Sequence, residues 1–425
     1  MTESRAQTAV TPQRCGIDQR EATLQRRDPQ RLLKRQQLNQ QVEQILLRNK
    51  LEPRSARISE DVYRIPVVVH VVHNNSSGFI GGANNSNISD EQIASQIRVL
   101  NEDYRRMANT RGFNTDPVGA DTGIEFFLAR VDPEGNATSG ITRNYTQRTS
   151  FDIYDSVSGD DRVLSGIAYW PSDQYLNIWV TTLRNDYLGY AQFPEAQNIP
   201  GLSSYENELT DGVIIDYRYF GSDIGAVTSP TYRYGRTTTH EVGHWLGLIH
   251  TWGDSVCGDD YCDDTPPTES ANQTTSCSER FSTCNGTRTR NQIENYLDYT
   301  PDACMNLFTQ DQKARMRAVI EASPRRQRVV RSAEPLPQPA TLTVNVYPNP
   351  IQASQRLSTL EVLFTGFQTF QVDVVDLSGR VIRTQKFTDY PSSSINLPLE
   401  TLGRGVYFVK VSTDKETTSK RLMIY

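Results

Sequence analysis

Histidine is scarce in this chain, with five among 425 residues, and methionine (5), tryptophan (4) and cysteine (6) are scarce too. Long apolar runs are missing. The longest candidate, Val67–Val72, is interrupted by His70 and falls well short of the roughly 20 residues a membrane helix needs. That excludes a membrane-spanning helix. No CxxC pair occurs, which weakens a structural zinc built from cysteines. Positive charge is not in excess: the net charge is −6 and the pI near 5.6, against a general nucleic-acid binder. What is present excludes a collagen or a wholly disordered chain, because 20 Tyr, 14 Phe and 4 Trp can build cores. The length suits two or three domains.

The charge is unevenly spread. Residues 1–57 carry 12 Lys+Arg against 6 Asp+Glu, residues 58–340 carry 23 against 37, and residues 341–425 carry 9 against 7. A basic segment ahead of an acidic body suggests that the first docks on the second; the alternative is a solvated basic arm. Five of the six cysteines (Cys257, Cys262, Cys277, Cys284, Cys304) fall within 48 residues. That clustering reads as disulfides in an oxidising compartment. The expectation is therefore a secreted or cell-surface protein. Met1–Val10 has no apolar core of a signal peptide, so an export signal is expected outside this sequence.

The periodicities predict an α/β (α+β) body. Residues 21–49 read as one amphipathic helix broken by Pro53, with Arg54 and Arg57 as exposed basic cleavage points. Strands are expected at 65–72, 124–131, 175–181 and 212–216, and LGYAQFP at 188–194 alternates like an edge strand. Ser89 caps a helix to about Tyr104, Thr237–Leu248 is a helix, and Thr309–Ala322 is another. Residues 249–302 are loop-rich. The Pro-rich stretch SAEPLPQP at 332–339 marks a boundary. Beyond it, short alternating strands at 342–346, 369–376, 381–387, 406–412 and 418–424 predict a small all-β sandwich. The expected organisation is 1–57, a latency segment; 58–331, a catalytic domain; 332–340, a linker; and 341–425, the sandwich.

His240-Glu241-Val242-Gly243-His244 is an HExxH pattern. On a helix, positions i and i+4 share a face, so both imidazoles can grip one metal. Gly247 lies three residues later and His250 three after that. A glycine there lets the helix end and the chain turn back, bringing a third imidazole. Three neutral histidines with one open position describe a catalytic zinc site, with Glu241 as the base that takes a proton from a metal-bound water. The alternative, an ordinary helix with core histidines, does not account for three of five histidines in one pattern. His70 and His73, in or beside a strand, read as structural or surface.

HEVGHWLGLIH resembles the metzincin metalloproteases, and within them the pappalysin family with its ulilysin- and mirolysin-like members. LGYAQFP at 188–194, TDGVIID at 210–216, DDTPP at 263–267 and NYLDYTPDACMNLFTQDQKARM at 295–316 carry the resemblance further. It spans roughly residues 58–322. It implies a twisted upper sheet, the motif helix and an irregular lower subdomain. It implies a zinc endopeptidase with His240, His244 and His250 as ligands and Glu241 as base. Tyr299 would stabilise the tetrahedral intermediate, and 188–194 would pair with extended substrate. One position departs: the methionine beneath the zinc in metzincins is Leu297 here, a volume-conserving swap.

The loop 254–265 holds Asp254, Asp259, Asp260, Asp263 and Asp264. Hard carboxylates suit calcium, similar enzymes bind it in this loop, and Asp260, Asp263 and Thr265 are the candidate ligands; a solvated acidic loop is the alternative. Family spacing suggests disulfides Cys257–Cys284 and Cys277–Cys304, leaving Cys262 alone, with Cys257–Cys262 still open. Arg14-Cys15-Gly16-Ile17-Asp18 resembles the zymogen switch of metzincins, with Cys15 as the latch and Asp18 as the alternative. Asp302, three residues after Tyr299, lies near the expected S1′ wall and predicts a preference for Arg or Lys. VYPNP at 346–350, DLSGRVI at 376–382, LGRGVYFVKV at 402–411 and KRLMIY at 420–425 resemble the type A sorting domain of the type IX secretion system; a carbohydrate-binding sandwich is the alternative. Partners implied are protein or peptide substrates and secretion machinery. The competing function class is a surface adhesin or binding module with a structural metal.

Overall fold

The computed structural model describes residues 13–51, 62–152, 160–194, 208–332, 342–352, 357–364, 368–390 and 393–425. Arg54 and Arg57 lie outside them, as does most of the Pro-rich linker. The N-terminal part is two helices, α1 (Ile17–Arg27) and α2 (Gln30–Leu51), not the single helix that periodicity predicts. The break has a local cause. Asp28 precedes Pro29 and adopts extended backbone (φ −128, ψ 92), as residues before proline prefer.

The body is built on β1 (Tyr63–His73), a β-branched run buried from Ile65 onward. Helix α3 (Asp90–Tyr104) follows, with Ser89 accepting from the Gln92 N–H as its cap. Then come β2 (Ile124–Leu128), β3 (Ile141–Tyr145), α4 (Asp160–Ile167), β4 (Leu176–Thr181), β5 (Gly189–Ala191) and β6 (Gly212–Asp216). The sheet order is β2-β1-β4-β6-β5, with β3 also on β1. All pairs are parallel except β5 against β6. The sequence reading did not anticipate β3 (ITRNY) or α4. His70 is fully buried, its ring nitrogens on Thr142 Oγ1 (2.8 Å) and Asn177 Oδ1 (2.9 Å), and is structural.

The motif helix α5 (Arg236–Trp245) is fully buried. Arg236 Nη2 donates to Asp103 Oδ1 (3.0 Å) and Thr239 Oγ1 to Asp103 Oδ2 (2.7 Å), which ties α5 to α3. Burial pushes the Asp103 carboxyl up to about 6 despite the guanidinium. After α5 the chain is irregular apart from the hairpin β7 (Phe281–Cys284) and β8 (Thr287–Arg290). Disulfides join Cys257 to Cys284 and Cys277 to Cys304; Cys262 is free and buried. Helix α6 (Gln310–Ala322) starts with a capping box between Thr309 and Gln312. Helix α7 (Pro324–Ser332) lays the buried Arg326 over Trp245, 3.8 Å from the ring centroid.

The C-terminal part has two antiparallel sheets. One contains β9 (Thr343–Tyr347) and β10 (Leu357–Leu363), joined by β13 (Ser393–Pro398). The other contains β11 (Gln368–Val375) and β12 (Val381–Tyr390), with β14 (Gly405–Ser412) and β15 (Thr417–Ile424). Leu360, Val362, Phe370, Val372, Val409 and Leu422 are in the core between them. It touches the body where Ser394 N–H donates to Asp90 and Asn396 Nδ2 to the Ile80 carbonyl (2.8 Å).

Gly247 ends the motif helix with φ +87, a left-handed conformation that favours glycine. A Cβ there would lie 2.7 Å from Val319 of α6. Gly247→Ala should destabilise the chain by about 1–3 kcal/mol, read as a lower denaturation midpoint. An unchanged midpoint would show that α6 yields freely.

Candidate active site

Helix α5 aims His240 and His244 to one side, and the turn at Gly247 returns His250 to them. Their far nitrogens are each engaged. Nδ1 of His240 is 2.6 Å from the Tyr296 carbonyl, that of His244 2.9 Å from the Leu248 carbonyl, and that of His250 2.7 Å from Asp254 Oδ1. Carbonyl and carboxylate oxygens only accept, so each Nδ1 carries the proton and each Nε2 is left a bare acceptor. These acceptors face one another: His244 Nε2 is 3.0 Å from His240 Nε2 and 3.2 Å from His250 Nε2. Burial lowers the His240 pKa well below its ordinary value and that of His244 to about 3, so both are neutral. Three Nε2 atoms converging on one point fit a divalent cation.

Glu241, next to His240, is fully buried, and its Oε1 has no hydrogen-bond partner. Burial pushes its carboxyl up to about 8. Tyr299 brings its hydroxyl to 3.2 Å from His250 Nε2. Trp252 stacks flat on His250 at 4.3 Å, and Phe193 meets His244 edge-on at 5.4 Å. Leu297 is fully buried beneath Gly243 of α5, its Cδ2 3.2 Å from where a Cβ would stand.

The N-terminal segment enters this site. Gln13 pairs in parallel with Tyr187, the Leu188 N–H donates to the Gln13 carbonyl (3.0 Å), and the Gly16 N–H donates to the Gly189 carbonyl (2.9 Å). Cys15 Sγ then lies among the three histidines, in one group with ligating atoms within 4.8 Å of one another, and 3.4 Å from Glu241 Oε2. Asp18 is elsewhere: its Oδ1 is 3.6 Å from Nδ1 of His250, the nitrogen turned away from the convergence. Arg14 forms a buried pair with Asp302 (2.7 Å), whose other oxygen accepts from the Tyr234 and Arg236 N–H groups at 2.9 and 3.2 Å. Sequence reasoning named Arg14, Cys15 and Asp302 but missed the pairing of Arg14 with Asp302. It also missed the link from Asp254 to His250, although an acid four residues after a ligand was visible.

Asp260 and Thr265 are buried and bonded to each other, Thr265 Oγ1 lying 2.7 Å from Asp260 Oδ2, whereas Asp263 is exposed. Among the described residues, Asp18 and Asp254 group with His250 as atoms that could hold a metal, whereas Asp260 and Asp263 belong to no such group.

Two imidazoles and a glutamate on a buried helix, joined by a third imidazole from the turn beyond it and set beside a mixed sheet, define a metzincin-like metallopeptidase. The comparisons agree. The family profile "Pregnancy-associated plasma protein-A" matches residues 160–321, and "Secretion system C-terminal sorting domain" matches residues 345–425. Extracellular metalloprotease 1 of Coccidioides posadasii (strain C735) is 30% identical over 230 residues, 54% of this chain and 68% of that one. A mutant of Tannerella forsythia promirolysin is 40% identical with a TM-score of 0.60, covering 75% of this chain and 98% of that one. Mature mirolysin of the same organism, solved with a cleaved peptide, is 43% identical with a TM-score of 0.53, covering 64% of this chain and 96% of that one. The chain belongs to the pregnancy-associated plasma protein-A (pappalysin) family of metalloendopeptidases and ends in a secretion sorting domain. It is a secreted or cell-surface enzyme, and the family implies zinc. The adhesin reading gives way to that membership.

Proposed function

We propose that this protein is a zinc endopeptidase kept latent by its own N-terminal segment, cleaving beside basic residues once that segment is removed. The observation that carries the reading is the convergence of three Nε2 acceptors beside Glu241. His240, His244 and His250 hold the metal. Zinc, when bound, supplies Lewis acidity toward the scissile carbonyl and toward water. Glu241 is the base, its unpartnered Oε1 the atom that takes the proton and later returns it to the leaving amine. Tyr299 donates its hydroxyl hydrogen bond to the developing oxyanion. The edge strand β5 with the residues flanking it pairs with extended substrate backbone. Asp302 receives a cationic substrate side chain, and the buried Arg14 in its grasp supports that preference.

In this reading residues 1–57 are the latency segment, 58–331 the catalytic domain, 332–340 the linker and 341–425 the part that engages secretion machinery. Cys15 is the latch, with its sulfur among the metal-facing nitrogens. Asp18 is the weaker choice, because it lies behind His250. Calcium at Asp260, Asp263 and Thr265 is a separate assignment. Burial pushes the Asp260 carboxyl up to about 7, and a hard cation would favour its charged form.

Glu241→Ala should retain zinc and fold yet lose at least about 10²–10⁴-fold in kcat/KM, measured on peptides alongside metal content; near-wild-type turnover would refute the mechanism. Cys15→Ala should shorten the lag before self-activation, whereas Asp18→Ala should not. The reverse order, followed by gel and by peptide cleavage, would transfer the latch to Asp18. In the activated enzyme Asp302→Asn, which keeps an acceptor for the two N–H groups, should lose its selectivity for Arg and Lys in a peptide-library profile. An unchanged profile would remove Asp302 from specificity.

A further inference from the structure

The three ligand histidines are not held alike. His240 and His244 give their Nδ1–H to main-chain carbonyls (2.6 and 2.9 Å). No side-chain substitution deletes those acceptors, and they carry no net charge. His250 instead gives its Nδ1–H to the carboxylate of Asp254 at 2.7 Å. Asp254 stands in a turn with φ +57, in which the Gly253 N–H donates to the His250 carbonyl (2.8 Å). That turn folds the acid back onto the ring four residues earlier. Its second oxygen, Oδ2, is taken by Nη2 of Arg35 at 2.9 Å. Arg35 belongs to α2 of the N-terminal segment, and its guanidinium lies 4.5 Å over the Phe193 ring, which itself meets His244 edge-on. Asp18 of α1 approaches the same His250 Nδ1 at 3.6 Å, beyond hydrogen-bond reach. The titratable and charged groups facing Asp254 are thus His250, Arg35 and Asp18.

We propose that Asp254 is the positioning carboxylate of the third metal ligand, and that Arg35 couples the N-terminal segment to the metal site through it, independently of Cys15. This rests on reading the histidine trio as the zinc site. A carboxylate behind a ligand imidazole fixes its tautomer and orientation and makes its other nitrogen a stronger donor. A guanidinium on the far oxygen draws that charge away. The segment therefore grips the site at two points. Cys15 approaches the front, where the Nε2 atoms converge, and Arg35 weakens the support behind His250. Removal of the segment takes away both, leaving the whole charge of Asp254 to His250.

The two halves of this contact have opposite signs, which separates the proposal from an ordinary ion pair. Zinc affinity is measured by competition with a chromophoric chelator, on the full chain in a Glu241→Ala background so that it stays uncleaved. Asp254→Asn should lose about 10–100-fold in affinity, and Asp254→Glu should recover most of it. Arg35→Met should bind zinc tighter than the parent and expose Cys15 to a thiol reagent faster. If Asp254→Asn folds, by the melting curve of the metal-free protein, and binds zinc like the parent, the positioning role is overturned. If Asp254→Asn does not fold, Asp254→Glu decides: affinity near the parent supports the carboxylate, and affinity lowered as far as by Asp254→Ala overturns it. If Arg35→Met changes neither zinc affinity nor labelling, or weakens zinc, the coupling is overturned. Retention of zinc by His240→Ala would instead refute the underlying zinc reading.

Discussion

Three hydrogen-bond acceptors pointed at one another repel unless something positive lies between them. That constraint orders the centre of this protein. It requires every Nδ1 to be protonated and satisfied, and so dictates what stands behind each ring. The Tyr296 carbonyl must reach His240 from the segment after the hairpin. The Leu248 carbonyl must reach back to His244 from beyond the helix end. The second demand fixes the turn: only a residue at ease with φ +87 lets the chain double back within that space, and Val319 leaves no room for a side chain. The buried Asp103–Arg236 pair and the sheet serve the same end, since a helix free to rotate by a few degrees would part the nitrogens. Such a pair adds little net stability but is costly to break singly.

The resulting site is more hydrophobic than its chemistry suggests. Trp252 stacks on His250, Phe193 meets His244 edge-on, Leu297 lies beneath Gly243 of α5, and the three histidines are fully buried. Low polarity favours the neutral forms of His240 and His244 and raises the Glu241 carboxyl. A bound cation pulls the other way, favouring the carboxylate. In the proposed mechanism Glu241 therefore depends on the metal for its charge as well as for its target, which is why a glutamate directly beside His240, rather than a distant one, suits the work.

Much of this was legible in the sequence because metal chemistry imposes fixed spacings. HExxHxxGxxH brings His240, Glu241, His244 and His250 together through the turn at Gly247, and the β-branched run of β1 and the cap Ser89 mark their elements. What escaped reading has identifiable causes. The break between α1 and α2 follows from Pro29 acting on Asp28 within a run whose apolar spacing continues across it. Strand β3 reads ITRNY and β13 reads SSINLP; both take their place from neighbours that supply the pairing, not from their own composition. Helix α7 begins at a proline and is rich in arginine, which looks like a linker until Arg326 is seen over Trp245. Arg14 and Asp302 are 288 residues apart, and no local pattern can announce such a partner.

The charge asymmetry between the first 57 residues and the body invites the view that the segment is held by long-range attraction. The individual contacts argue otherwise. Arg48–Glu321 is a partly exposed pair, with side-chain exposures of 47% and 25%, and Arg35–Asp254 is intermediate at 24% and 21%. Pairs of the first kind contribute about 0–1 kcal/mol and are screened by salt. Arg14–Asp302 differs, with 1% exposure on both sides, and removing one partner of such a pair costs about 3–5 kcal/mol. It is also backed by main-chain pairing of Gln13 and Gly16 along the edge of the sheet. The summed charge can speed docking and select the orientation, but what resists undocking is short-range and dry. Ionic strength would weaken the exposed ion pairs of α2, but Leu38 and Val42 remain packed with Ala318 and Val319 of α6, and residues 13–16 remain in the cleft. In the proposed latency, release therefore has to undo this dry packing as well as the ion pairs, which cutting the connection to the body makes possible and salt does not.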